Sequence, residues 1–135
     1  MFSNGSTSHT SNKVILVVED ELALHEAIKL KLSRAGMQVY SAFSGEQALE
    51  ILSGIRPNLV WLDLLLPGMG GLELLRRMRA DESMKDIPVM VVSVSAGPEK
   101  IKQARDLHAI DYMVKSEYTI ESLVNRVKEV TATLS

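Results

Sequence analysis

Four short apolar runs punctuate the chain, and each gives way to a polar residue of a kind that does chemistry. Val14-Ile15-Leu16-Val17-Val18 ends in Glu19-Asp20, and Leu59-Val60-Trp61-Leu62 meets Asp63 before Leu64-Leu65-Leu66 and the Pro67-Gly68 break. Val89-Met90-Val91-Val92 ends in Ser93, and Ile110-Asp111-Tyr112-Met113-Val114 ends in Lys115. Short continuous apolar runs bounded by turn residues are the pattern of strands buried on both faces. Between them the period lengthens to that of a helix. Leu24, Ile28 and Leu32, flanked by Ala23, Ala27 and Ala35, share one helical side, and Gly36 stands where a helix-ending glycine belongs. A short strand over Met37 to Ser41 follows. Ser44 with Gln47 three residues on makes a capping box for a helix bearing Ala48, Leu49, Ile51 and Leu52, which stops before Pro57. Three more helices are predicted: around Leu72 to Arg79, from Gly97-Pro98 through Ile101, Ala104 and Leu107, and through Ile120, Leu123, Val124, Val127 and Val130.

Five strand-then-helix units with no repeat and no linker predict an α/β fold. It is a doubly wound five-stranded parallel sheet with helices on both faces. In the order 2-1-3-4-5 the strands ending in Glu19-Asp20 and in Asp63 are neighbours at the switch point, where ligands gather. The 135 residues suffice for one domain with its own core. There is no cysteine to staple it. Fifteen Lys and Arg against 17 Asp and Glu, with no basic stripe, speak against nucleic acid as a direct partner. The apolar runs fall well short of a membrane span. Residues 1–12, Ser, Thr, Asn and Gly with a single Phe, lack the apolar core of a signal peptide. They are expected to be a disordered tail, with the domain over 13–135 and a cytoplasmic location.

A lone carboxylate inside a buried strand costs several kcal/mol, so Asp63 belongs at the strand's carboxyl end. Alone it would read as a turn-starting residue. Gathered at one sheet edge with Glu19-Asp20, Ser93 and Lys115, it belongs to a set of three carboxylates, one hydroxyl and one ammonium. Hard oxygen ligands with room for water suit Mg²⁺, and an ammonium and a hydroxyl beside that metal suit a phosphoryl group.

These residues resemble the receiver domain of two-component response regulators, of the chemotaxis-regulator type, over Lys13 to Leu134. The matching motifs are Glu19-Asp20, Asp63 through Met69 continuing into Gly71-Leu72-Glu73, Ser93, and Tyr112 three residues before Lys115. The resemblance implies a flavodoxin-like fold and a phosphorelay component. Asp63 would accept a phosphoryl group from a sensor histidine kinase or a phosphotransfer protein. Glu19, Asp20, Asp63 and the Leu65 backbone carbonyl would hold Mg²⁺. Lys115 would pair with the phosphoryl oxygens, Ser93 would close onto them, and Tyr112 would rotate inward behind that hydroxyl. The output would be a conformational switch read by a protein target on the last helix-strand-helix face. The domain would catalyse nothing beyond its own phosphorylation and dephosphorylation.

Two other readings stay open. One is a receiver-like interaction module that needs no phosphate. The other is an aspartyl-nucleophile phosphatase, which would want a second acid where Leu65 stands. A flavin protein of this architecture would need a phosphate-cradling loop after the first strand, where Glu19-Asp20 would repel an anion. Three positions depart from the family pattern: Ser116 replaces the usual proline after Lys115, Val94 a small residue after Ser93, and Leu65 a commonly polar one. A cis peptide before Ser116 would cost about 2.5–4 kcal/mol without proline, so either that bond is strained or the loop runs differently. His9, His25 and His108 form no metal set. Met69, Met78, Met84 and Met90 read as packing residues, Arg76, Arg77, Lys100 and Lys102 as solvent-facing charges, and Trp61 as core beneath Asp63.

Overall fold

The computed structural model describes residues 13–94 and 97–133; the expected tail over 1–12 lies outside the described residues. Five parallel strands, β1 (Val14–Val18), β2 (Gln38–Ala42), β3 (Leu59–Leu62), β4 (Val89–Ser93) and β5 (Asp111–Val114), form one sheet in the order 2-1-3-4-5. They alternate with α1 (Leu22–Arg34), α2 (Gly45–Leu52), α3 (Gly71–Ala80), α4 (Pro98–Asp106) and α5 (Ile120–Ala132), as the change of period predicts.

The pleat sorts each central strand onto two cores. Leu16, Val18, Val60, Leu62, Val89 and Val91 face α2, α3 and α4. Ile15, Val17, Leu59, Trp61, Met90 and Val92 face α1 and α5. With both faces covered, β1, β3 and β4 must be apolar at nearly every position, which is why they read as unbroken runs. Trp61 is wholly buried, as expected of a core residue.

Local chemistry ends the helices. Ser44 Oγ accepts from Gln47 N at 3.1 Å, while the Gln47 side chain takes the N–H of Phe43 at 2.7 Å, one residue earlier than a standard box. Gly36, at φ 88, follows α1. Past α4 the corresponding place falls to His108, at φ 60, with Ala109 N donating to Ala104 O at 3.0 Å. The helix predicted through Leu107 therefore stops at Asp106. Arg79 ties down this far end of the sheet, donating to the carbonyls of Leu107 (2.8 Å), Ile87 (2.9 Å) and Lys85 (3.0 Å).

Candidate functional site

Strand register assembles the site. Val18 pairs with Leu62, so Glu19 and Asp63 leave neighbouring strands side by side. Asp63 N donates to Val18 O at 3.0 Å, and Glu19 N donates to Ala42 O at 3.1 Å. Ser93 pairs with Val114, which places the start of the Lys115 turn next to the end of β4. Lys115 reaches back across the edge: its Nζ lies 2.8 Å from Glu19 Oε1 and 3.1 Å from Asp63 Oδ2. The remaining carboxylate oxygens are also held. Leu65 N donates to Asp63 Oδ1 and Glu21 N to Glu19 Oε2, both at 3.0 Å. Glu19 and Asp63 are 1% and 4% exposed, whereas Asp20 faces solvent. One oxygen from each of the three acids lies within 4.8 Å of the others, a spacing that fits one small divalent ion.

Burial raises the pKa of Asp63. The Leu65 N–H opposes that rise, the charge of Glu19 adds to it, and Lys115 pulls the other way. Burial alone would lower Lys115, but its hydrogen bond to Glu19 and the charges of both acids outweigh that and leave it raised. The ammonium is therefore firmly charged, and Asp63 is the acid under strain.

Across the edge, the Ser93 hydroxyl is wholly buried and has no hydrogen-bond partner. The half-buried Tyr112 packs against the α2–α3–α4 core. Burial raises the pKa of its hydroxyl, Ser93 opposes that rise and the charge of Asp63 adds to it.

A family model, the response regulator receiver domain, matches residues 15–128. The chain belongs to that family. Two curated relatives illustrate the range of this receiver's kin. The phosphate regulon transcriptional regulatory protein PhoB of Pseudomonas aeruginosa is 35% identical over 118 residues, 87% of this chain and 51% of PhoB. Sporulation initiation phosphotransferase F of Bacillus subtilis is 30% identical over 118 residues, 87% of this chain and 93% of the relative. The chain thus spans about half of PhoB but nearly all of the phosphotransferase. Among solved structures, the phosphorylated cyanobacterial phytochrome response regulator RcpA matches with a TM-score of 0.79 and 31% identity, over 92% of this chain and 94% of that one.

The receiver's departures from its family pattern resolve structurally. The Lys115–Ser116 peptide is trans, and a 3-10 turn over Lys115–Glu117 carries the lysine inward without a proline. Leu65 and Val94 are 48% and 56% exposed, so both rim the edge rather than fill it. Sequence reasoning named Gly71 and His25 without seeing what each supports. A Cβ on Gly71 would lie 2.5 Å from Leu64 Cα and 2.6 Å from Asp63 O, so this glycine lets the start of α3 press against the Asp63–Leu64 backbone. His25, which belongs to no metal set, is buried with its Nδ1 2.7 Å from Glu19 O. Its place in the row His25, Ile28, Leu32 is the signal that it points inward.

Proposed function

We propose that this receiver accepts a phosphoryl group on Asp63 from a sensor histidine kinase or a phosphotransfer protein, in a Mg²⁺-dependent reaction, and so switches the surface it offers a protein target. The observation that carries this reading is the Lys115 bridge between Glu19 and Asp63, a cation already held at a buried carboxylate whose pKa is pushed up. Asp63 supplies a carboxylate oxygen to phosphorus; the donor's bond to phosphorus breaks and its leaving group departs with the electron pair, giving an acyl phosphate. Asp20, Glu19, Asp63 and the Leu65 carbonyl would hold the metal, and Asp20, exposed and at the rim, is the most available of the acids. Bound Mg²⁺ would neutralise charge on the phosphoryl oxygens and hold the group in line.

Lys115 then turns from the carboxylates to a phosphoryl oxygen. The buried Ser93 hydroxyl, which has no hydrogen bond to give up, donates to another. Tyr112 follows Ser93 inward. It also lines a groove of about 500 Å³ with Ile101, Ala104, Ile110 and Val114 between α4 and β5, so its movement reshapes the face proposed for the target. The receiver unit is read as residues 13–135. Among the described residues no helix is long and apolar enough to cross a membrane; the cytoplasmic location is proposed on the receiver reading alone.

Incubation with acetyl phosphate and intact-mass measurement tests this. The parent gains one phosphoryl group with Mg²⁺ and none with a chelator. A phosphate-independent module would gain none in either, and equal labelling of Asp63→Asn would overturn the assignment of the acceptor.

A further inference from the structure

His25 takes no part in the chemistry proposed above, yet it is wholly buried beside residues that do. Its Nδ1 lies 2.7 Å from the backbone oxygen of Glu19. A carbonyl only accepts, so Nδ1 carries the proton and donates. The ring stacks on Phe43, with centroids 4.2 Å apart and planes 22° from parallel. The other ring nitrogen, Nε2, is buried without a partner. An apolar ring would fill the same space without stranding that atom, and a buried unpartnered polar group costs about 1–3 kcal/mol. What the imidazole offers over phenyl is its donor.

That donor meets a carbonyl which the backbone alone leaves unserved. The sheet's last bond on this segment is Glu19 N to Ala42 O, and the helix's first is His25 N to Glu21 O. The oxygen of Glu19 falls between them, past the ladder and before the helix. The peptide it belongs to joins Glu19 to Asp20. The side chain of Glu19 is pinned by Lys115 and Glu21 N, but Asp20 is exposed, so its aim depends on the backbone beneath it.

We propose that His25 is a positioning residue for metal binding: its Nδ1–H fixes the Glu19–Asp20 peptide so that both carboxylates face the ion together. The inference rests on the reading that this acidic cluster holds Mg²⁺. Hydrogen bonds that orient ligating residues commonly change metal affinity by about 10–100-fold when removed.

Two substitutions separate donor from ring. His25→Phe keeps an aromatic ring on Phe43 and loses the donor. His25→Asn keeps an N–H near the Nδ1 position and loses the stack. Mg²⁺ affinity by calorimetry and thermal unfolding without metal are measured for both. The expected result is that His25→Phe binds Mg²⁺ about tenfold more weakly, while His25→Asn melts lower but keeps the parent's affinity. Parent-like affinity in His25→Phe overturns the proposal, as does affinity that simply tracks melting temperature. Should His25→Phe fail to fold, His25→Asn is compared with His25→Leu; both lack the stack and differ in the donor, and equal affinities overturn the proposal. If the parent's Mg²⁺ binding is absent, or survives Asp20→Ala, the functional reading fails together with this one, an outcome distinct from equal binding by the parent and His25→Phe.

Discussion

On the β1–β3 side of the sheet edge, Glu19 has both carboxylate oxygens, its N–H and its carbonyl engaged, and Asp63 has both carboxylate oxygens held. On the β4–β5 side, Ser93 keeps a buried hydroxyl with no partner, β5 buries Met113 alone of its four residues, and α4 contributes Ala104 as its buried residue. Both sides lie on one sheet, so the difference is in how fully their polar groups are engaged. The carboxylates of the acid side are placed by backbone donors before any ligand arrives, so the rearrangement the proposal asks of that side is the turn of Lys115. The hydroxyl side holds an unsatisfied donor and thinly packed elements, the kind of region from which moving parts are drawn. A phosphoryl group shifts an equilibrium only through contacts that differ between two states; under the proposed function these are the Lys115 contacts to Glu19 and Asp63, exchanged for a phosphoryl oxygen, and the new donation from Ser93.

Removing the cation is the harshest way to break the acid side. Lys115→Ala leaves buried Glu19 and Asp63 facing each other unpaired, and stability should fall by about 3 kcal/mol, read from urea unfolding. The variant should still be labelled by acetyl phosphate, while beryllofluoride no longer shifts the Tyr112 amide resonance. Parent-like resonance changes would show that the response does not pass through this ammonium.

Crowding the same side from below comes next. In Gly71→Ala the new methyl would meet backbone on both sides, Leu64 Cα and Asp63 O, and neither can swing away. A loss of roughly 2–3 kcal/mol follows. Parent-like stability in that variant would mean the contact between α3 and the Asp63–Leu64 backbone is slack.

Neutralising the strained acid should work in the opposite direction. Asp63→Asn removes a carboxylate whose pKa burial and Glu19 push up, and it should stabilise the metal-free protein by roughly 0.5–2 kcal/mol near neutral pH. A folded pKa above the unfolded value means that this acid favours the fold below the unfolded pKa, and that this contribution is lost as pH rises through the folded one. The advantage of Asp63→Asn is therefore largest near neutrality and shrinks on acidification. A gap that widens as pH falls would contradict the assigned direction.

The smallest effect belongs to the hydroxyl side. Ser93→Ala removes an unpartnered buried oxygen, so stability should hold or rise by up to about 1 kcal/mol, whereas the Tyr112 resonance should stop responding to beryllofluoride. A clear loss of stability would show that Ser93 is held as firmly as Glu19 and Asp63, and the contrast between the two sides would collapse.

The sequence exposes one side of this comparison far better than the other. Glu19, Asp63, Ser93 and Lys115 are legible because strands covered on both faces leave long apolar runs, and a polar residue closing such a run stands out. The sheet order follows from the same runs. The supports are not legible, since each depends on approach in space. Gly71 matters through a distance to Leu64 that no local pattern encodes. His25 serves Glu19 across six residues only because α1 turns back over β1. His108 adopts a left-handed conformation where glycine would be expected, and Arg79 gathers carbonyls from two loops. The trans peptide at Ser116 is one of the two geometries the sequence allows, and the 3-10 turn decides it.

The central claim is that Asp63 is the phosphoacceptor, and the position of the acyl phosphate tests it most directly. Borohydride reduces an aspartyl phosphate to homoserine, so protein labelled with acetyl phosphate and Mg²⁺, then reduced and digested, carries a permanent mark at the acceptor. Peptide mass mapping should find that mark at Asp63 alone, and only when Mg²⁺ was present. A mark at Glu19, Asp20 or any residue outside the edge, or one that forms equally with a chelator, would contradict the account.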